Sequence, residues 1–172
     1  MKDFDTGLTV EYLRSALAYD PETGIFIWKW RKDMPDRVNS CFAGHIAGCT
    51  HKYVHVRING HLYRGHRLAV FYTTGAWPPK STDHKNRTPS DNRLDNLRPA
   101  TQSQNGANRS FNKNNKLRLK GVCWSNRDQA FRSTINVDRK QQSLGYFDCP
   151  AAAHLMYVIA ADKIFGEFSR AN

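Results

Sequence analysis

The chain is poor in acidic residues for its basic content. Its 172 residues include 15 Asp and Glu against 26 Lys and Arg, which gives a formal net charge of +11. Nucleic acid is the first candidate partner, because Lys and Arg that neutralise phosphates release counterions and provide most of the sequence-independent affinity. An anionic membrane surface is the weaker candidate, because the basic residues are not collected on one amphipathic helix.

Long apolar runs are absent. No stretch reaches the length of a transmembrane helix, and the first residues lack the charged, apolar and small-residue order of a signal peptide. We therefore expect an intracellular, cytoplasmic protein. The length allows one domain of ordinary size or two small ones.

Cysteine is scarce, and no two cysteines form a CxxC pair. The four cysteines are Cys41, Cys49, Cys123 and Cys149. Cys41 and Cys49 cluster with His45 and His51, and Cys and His are the ligands that zinc prefers. Because the spacing matches none of the recurrent zinc patterns, free thiols are the favoured interpretation and a zinc site is the open alternative.

The most informative stretch is TDHKNRTPSDNRLDNLRPATQSQN, residues 82–105. Successive side chains of a strand point to opposite faces, so the Asp83-His84 pair is expected to close a strand. Residues 86–92 have the composition of a hydrogen-bonded loop. Residues 94–98 predict a short return strand, and Thr101 is a plausible helix N-cap.

This strand, loop, strand and helix order permits a metal-dependent hydrolytic site. Asp83 and a helix residue such as Asn105 offer oxygen ligands suited to Mg²⁺ or Mn²⁺. A neutral His84 beside them could act as a base for water. A lone Asp-His pair is usually part of an exposed loop, but its combination with the later NLR and TxxxN spacing favours the active-site interpretation.

These residues resemble the HNH (ββα-metal) motif of phage and intron homing endonucleases. By that resemblance, Asp83 is the first metal ligand, His84 the general base, Asn96 the residue that pins the loop, and Asn105 the second metal ligand. The family commonly has an HRL segment just upstream, which matches residues 66–68 here.

Three loop residues depart from the HNH pattern. They are Lys85, Arg87 and Pro89, where relatives often have an apolar residue, a glycine and a residue other than proline. The departures concern the loop conformation and leave the proposed metal ligands in place.

Before this motif, the pattern predicts short helices and strands. We expect a helix over residues 8–18 with Thr9 as its cap, a strand at 25–30 and a helix at 66–74 that ends at Gly75. Asn59-Gly60 predicts a hairpin between residues 53–58 and 61–65. Residues 32–50 are expected to form a loop that contacts DNA, and its basic candidates with the preceding residue are Arg31, Lys32 and Arg37.

After the motif, the composition changes. Residues 106–119 predict a basic linker along DNA phosphates, with a solvated tether as the alternative. Strands are expected at residues 121–125, 130–137 and 141–147, followed by a helix from Pro150 to about Phe165. The predicted fold class is therefore α+β: an N-terminal helix and β-hairpins, an HNH core, a basic linker, and a three-stranded antiparallel sheet with one packed helix.

The predicted C-terminal sheet has one polar face. Alternation turns Phe131, Ser133, Ile135 and Val137 toward the helix, and leaves Arg132, Thr134 and Asn136 on the other side. Arg and Asn on a sheet can read guanine and adenine in the major groove, although a solvated polar face is an equally good interpretation of the alternation alone.

The C-terminal segment also resembles the Apetala-two (ethylene-response-factor type) DNA-binding domain. The matching elements are GVCW at residues 121–124, LGYFD at 144–148, an alanine-containing helix and the FGEF ending. The resemblance implies that Trp124, Arg127, Arg132 and Thr134 contact DNA from the sheet. The QAFRSTI strand departs from the family, which usually has a Trp or Tyr before an Ala or Arg pair.

Together these patterns predict a site-specific homing-type DNA endonuclease encoded by a phage or mobile element. The predicted domains are 1–105 with the motif at 66–109, a linker at 106–119, and a DNA-binding domain at 120–172. We expect double-stranded DNA as partner, one Mg²⁺ or Mn²⁺ per site, a monomer, and either nicking or double-strand cleavage.

A non-catalytic DNA-binding regulator is the alternative, and an RNA-binding protein is a weaker one because the sheet lacks clustered exposed aromatics. The predicted catalytic residues are Asp83, His84, Asn96 and Asn105, and the further DNA-binding residues are Arg98, Arg109, Lys113, Lys116, Arg118 and Lys120.

Overall fold

The computed structural model describes residues 7–78, 81–112 and 114–170, and it divides into two compact units, Met1–Pro99 and Ala100–Asn172. The described residues form small antiparallel sheets and five α-helices. This combination confirms the predicted α+β fold class. Each described helix is too short or too polar to cross a lipid bilayer.

The first unit begins with helix α1, Val10–Ala16. The Thr9 side chain accepts a hydrogen bond from the Tyr12 amide at 3.2 Å, as predicted for the cap. The helix is shorter than predicted, because the chain turns into strand β1, Leu17–Tyr19, which pairs with β2, Phe26–Trp28. Leu17 is fully buried, and this sheet pairing overrides its helical spacing.

The prediction of a loop over residues 32–50 is wrong in part. The segment contains helix α2, Asp36–Phe42, and strand β3, Cys49–Thr50. Asn39 is the buried residue of α2, and its side chain accepts a hydrogen bond from the Arg31 amide and donates to the Arg31 and Met34 carbonyls. Because the buried side chain of this helix is polar, the sequence of α2 lacks the periodic apolar residues from which a helix is predicted.

The hairpin at Asn59-Gly60 is confirmed. Strands β4, Val54–Ile58, and β5, His61–Arg64, pair antiparallel, and β3 lies on the other side of β4. Asn59 and Gly60 have φ values of 48° and 78°, the left-handed pair that a tight hairpin turn requires.

Helix α3, Gly65–Thr74, follows directly and ends at Gly75 in the left-handed conformation, as predicted. It packs on β4, β5 and α1, and the core of this unit lies between them. The most deeply buried members of this core are Leu13, Leu17, Phe26, Val56, Ile58 and Leu68.

Two further strands hold the Asp83-His84 pair. Strand β6, Ser81–His84, pairs with β7, Leu97–Ala100. The strand predicted to start at Leu94 starts only at Leu97, because Leu94–Asn96 form a 3₁₀ turn in which the Asn96 amide donates to the Arg93 carbonyl.

The second unit contains helix α4, Gln102–Asn108, a three-stranded antiparallel sheet and helix α5, Pro150–Phe165. Thr101 caps α4 through a reciprocal pair of hydrogen bonds with Gln104. The sheet has the order β10-β9-β8, and its strands are Val122–Ser125 for β8, Ala130–Val137 for β9 and Lys140–Phe147 for β10.

Gly121, the glycine of the GVCW element, allows the sheet and α5 to approach closely. Its φ is +79°, and a Cβ at this position would collide with the ring of Tyr157 on α5. The first compact unit ends at Pro99, whereas the sequence predicted a nuclease domain that ends at residue 105 and a linker that ends at residue 119. The predicted domain boundaries stay a prediction.

Candidate functional site

Asp83 is held in place by Arg98. The Arg98 guanidinium donates to Oδ2 of Asp83 from Nε at 3.0 Å and from Nη2 at 2.9 Å, and both side chains are about nine-tenths buried. A buried ion pair of this kind fixes the carboxylate orientation. Arg98, predicted as a DNA-binding residue, therefore contacts a carboxylate in this structure, and its contact with DNA stays a prediction.

His84 ends β6 in a buried position, 6% exposed. Its Nε2 lies 3.5 Å from Oδ1 of Asn92, and its ring meets the ring of His66 edge to face at a centroid distance of 5.1 Å. Burial lowers the pKa of His84, while the Asn92 hydrogen bond and the nearby Asp83 charge act in the opposite direction. A lowered pKa keeps the imidazole neutral at neutral pH, which is the form that accepts a proton.

His66, in the first turn of α3, is a second buried imidazole. Burial is the first cause that lowers the pKa of His66 to about 3, and electrostatic interactions with His84 and Arg64 act in the same direction. Its Nδ1 is buried and has no hydrogen-bond partner among the described residues. The resemblance of residues 66–68 to the HRL segment drew attention to His66. It did not predict that the His66 ring would pack against the His84 ring.

Asn96 ties the two ends of the loop together. Its Oδ1 accepts from the Asn86 amide at 2.9 Å, and its Nδ2 donates to the Asp91 carbonyl at 2.8 Å. The side chain is buried, so each bond replaces one that water would otherwise make. This geometry suits the predicted loop-pinning role, while a direct role in catalysis stays a prediction.

The loop itself is built from local side-chain hydrogen bonds. Nδ2 of Asn86 donates to Oδ2 of Asp91 at 2.6 Å, and Asp91 also pairs with Arg93 at 2.8 Å. The Arg93 hydrogen bond is the main reason that the pKa of Asp91 falls to about 2. Arg87, one of the loop residues that depart from the expected pattern, adopts a left-handed φ of 62°.

The predicted second metal ligand, Asn105, lies on α4 in the second unit and is half-buried. Its joint ligation of one ion with Asp83 stays a prediction. Within the described ranges, no three His, Cys, Asp or Glu side chains converge as metal ligands. Cys41 and Cys49 are exposed thiols, and the choice between thiols and zinc at that cluster rests on the sequence argument.

In the basic segment after α4, some side chains are exposed to solvent, and Lys120 is hydrogen-bonded to backbone carbonyls. Arg109, Lys116 and Arg118 are exposed, as phosphate contacts must be. The Lys120 ammonium donates to the carbonyls of Ala107 and Arg109, so it closes the end of α4. Lys113 lies outside the described residues.

The outer face of the C-terminal sheet is defined by Arg132. On the neighbouring strands, Cys123 and Tyr146 pair with Arg132, and no carboxylate among the described residues forms an ion pair with its guanidinium. Ser133 and Ile135 of β9 are buried, which places Arg132 and Thr134 on the face turned away from the core.

The other two predicted sheet contacts have different surroundings. Trp124 pairs with Phe131, and their rings touch edge to face at 4.9 Å, so Trp124 lies on the opposite face from Arg132. Arg127 lies in the turn after β8 and forms an exposed pair with Asp128 at 3.2 Å. The four residues therefore do not form one continuous reading face, and their contacts with DNA stay predictions.

Residues 63–107 match the family model of the HNH endonucleases. The chain is also similar to Protein 3.8 of Escherichia phage T7, with 31% identity over 88 residues, which are 51% of this chain and 72% of that protein. No solved structure matches. The family match contains α3, the Asp83-His84 strand, the loop and most of α4.

Arg87→Gly is expected to stabilise the first unit. A non-glycine residue in the left-handed region costs about 1 kcal/mol, and glycine removes that cost while adding some unfolded-state entropy. We expect a net gain of about 0.5 kcal/mol in urea unfolding. Lys85→Gly is the control, since Lys85 is exposed in the same loop without a positive φ; equal effects of the two substitutions would contradict the strain argument.

The buried His66 should make stability depend on pH. Its folded-state pKa lies below the ordinary value of 6.5, so the contribution is complete above pH 6.5 and is lost as the pH falls toward 3. Between pH 7.5 and 5.5, the wild type should lose about 1.4 kcal/mol more than His66→Gln in urea unfolding. His61→Gln, which changes an exposed histidine of β5, should keep the wild-type pH dependence. Parallel curves for the wild type and His66→Gln would contradict a neutral, buried His66.

Proposed function

Because this chain belongs to the family of phage T7 Protein 3.8 and carries an HNH endonuclease domain, we propose that it hydrolyses a phosphodiester bond of double-stranded DNA with a divalent metal. The observation that carries the proposal is the buried His84, whose pKa is lowered by that burial, next to the buried carboxylate of Asp83 at the end of β6 inside the family match. These are the base and the ligand that such a hydrolysis requires.

His84 is the general base in this proposal. Its neutral imidazole takes a proton from the attacking water, while Asn92 and His66 bound the ring on two sides. Arg98 keeps the Asp83 carboxylate in one orientation. Positioning of this kind reduces the reorganisation needed at the moment of reaction.

The donor set suits a hard divalent ion. Mg²⁺ is often held by one or two carboxylates together with substrate phosphates, and Asp83 with the predicted ligand Asn105 supplies one carboxylate and one amide oxygen. When bound, Mg²⁺ or Mn²⁺ supplies positive charge that stabilises the scissile phosphate and the leaving 3′-oxygen. Because Arg98 already pairs with Asp83, an ion held by this carboxylate would compete with the guanidinium for it.

The C-terminal module is proposed to hold the duplex, as its resemblance to the Apetala-two domain implies. Support comes from the outer sheet face, where Arg132 has no carboxylate partner among the described residues and lies beside Thr134. Arg can read guanine through two hydrogen bonds, and the exposed Arg109, Lys116 and Arg118 supply sequence-independent attraction. Homing-type site specificity and action as a monomer belong to this proposal.

A DNA-binding regulator without nuclease activity is the second candidate. The Arg98–Asp83 ion pair favours it, because that pair already neutralises the carboxylate that a metal would need. The regulator retains the basic surface and the sheet, but it produces no metal-dependent cleavage.

His84→Ala separates the two candidates. Loss of a general base should slow cleavage of supercoiled plasmid in Mg²⁺ or Mn²⁺ by about 10²–10⁴-fold, and EDTA should stop the wild type. DNA binding measured in EDTA should change less than about twofold, since the imidazole carries no charge to phosphate. His61→Ala, on the exposed side of β5, is the control and should cleave normally. Cleavage by His84→Ala at the wild-type rate would remove His84 from the mechanism, and a wild type without metal-dependent cleavage would favour the regulator.

Arg132→Ala tests the sheet as the reading surface. Loss of one base contact should weaken binding to a selected target by about tenfold and relax preference at one base position. Lys163→Ala removes the same charge from the exposed surface of α5, on the other side of the sheet, and should have a smaller effect. Binding would be measured by fluorescence anisotropy at several salt concentrations; equal losses for both variants would show that Arg132 contributes charge alone.

A further inference from the structure

The loop between the two nuclease strands carries a buried amide, that of Asn92, for which the proposed chemistry has no direct use. Asn92 is 1% exposed, and its Oδ1 lies 3.5 Å from Nε2 of His84, the long end of the hydrogen-bond range. We propose that Asn92 is a positioning residue that fixes the ring orientation and the tautomer of His84. The proposal rests on the proposed function in assigning His84 as the base.

The backbone of Asn92 is held by parts of the chain that are distant in sequence. The Tyr19 hydroxyl donates to the Asn92 carbonyl at 2.7 Å. A Cβ on Gly24 would lie 2.5 Å from the carbonyl carbon of Asn92, and a Cβ on Gly65 would lie 2.7 Å from its Nδ2. Glycine at both positions therefore allows the loop to pack directly against the turn before β2 and the start of α3.

The side chain of Asn92 is dedicated to His84. Among the described residues, Oδ1 hydrogen-bonds only to the His84 ring, and the buried Nδ2 has no hydrogen-bond partner. Burial of an amide without full hydrogen bonding costs about 1–3 kcal/mol, so this packing is not explained by stability. A function in orienting the imidazole accounts for that cost.

The direction of the hydrogen bond selects one tautomer. An amide oxygen only accepts, so Nε2 of His84 must carry the hydrogen and donate it, and the lone pair of the neutral ring then lies on Nδ1. The edge-on contact with His66 limits rotation of the ring on another side. Asn92 thus determines which ring nitrogen is presented as the base.

Single-turnover cleavage of plasmid in Mg²⁺ tests the effect on the reaction. Asn92→Ala should lower the rate constant by about 10–100-fold, the usual effect of losing a partner that orients a functional histidine, while the dissociation constant for DNA changes less than about threefold. Asn92→Asp retains an accepting oxygen and should recover most of the rate.

Asn39→Ala is the matched control. Asn39 is another buried amide of the first unit, and its three hydrogen bonds organise the loop before α2. Its loss should reduce stability but leave the cleavage rate constant within about threefold of the wild type. If Asn92→Ala lowers the rate no more than Asn39→Ala, the positioning role is wrong.

Nitrogen NMR of ¹⁵N-histidine protein provides a readout that does not depend on cleavage. At pH 8 the His84 signals, assigned by their loss in His84→Gln, should show hydrogen on Nε2 in the wild type and a mixture of tautomers in Asn92→Ala. Hydrogen on Nδ1 in the wild type, or an unchanged tautomer in Asn92→Ala, would overturn the proposal. A tautomer change together with normal cleavage by His84→Ala would overturn the nuclease assignment of His84 and leave its pairing with Asn92 intact.

Discussion

The packing of the loop between β6 and β7 onto the rest of the first unit is the constraint on which the candidate site depends. The loop lies against two glycines, Gly24 and Gly65, and the Tyr19 hydroxyl binds its Asn92 carbonyl. Asn92 in turn lies against the buried His84 ring, and burial is the first cause of the lowered pKa of His84. Burial in this packed unit therefore holds the pKa of the proposed base below its ordinary value.

The first unit gives the neighbouring residues Asp83 and His84 different partners, which suits the two different roles proposed for them. Asp83 and His84 are adjacent in the chain, but one meets a guanidinium and the other meets an amide and an imidazole. The strand turns them in different directions, so the Asp83 carboxylate lies beside the Arg98 guanidinium, while burial lowers the pKa of the His84 imidazole. Adjacent residues with different electrostatic surroundings suit the roles of metal ligand and general base proposed for Asp83 and His84.

Local chemistry made much of this architecture predictable. The Asn59-Gly60 turn and the Thr101 cap each depend on residues within a few positions, and both are present in the structure. Helix α2 was missed because its anchor is the polar side chain of Asn39, which has no periodic signature. The role of Asn92 could not be read from the sequence, because its packing partners come from separate segments and a loop rich in Asn gives no sign of which amide is buried.

The basic composition has a second effect besides attraction to phosphate. His66 lies among the cationic Arg64 and Arg67 and the ring of His84, and their electrostatic effects add to burial in lowering the pKa of His66 to about 3. A neutral His66 can pack against the His84 ring without charge repulsion, so the positive field that favours DNA also keeps the wall of the site uncharged. The charge excess seen in the sequence therefore contributes both to the affinity proposed for the whole chain and to the neutral state of His66, whose ring lies against the proposed base His84.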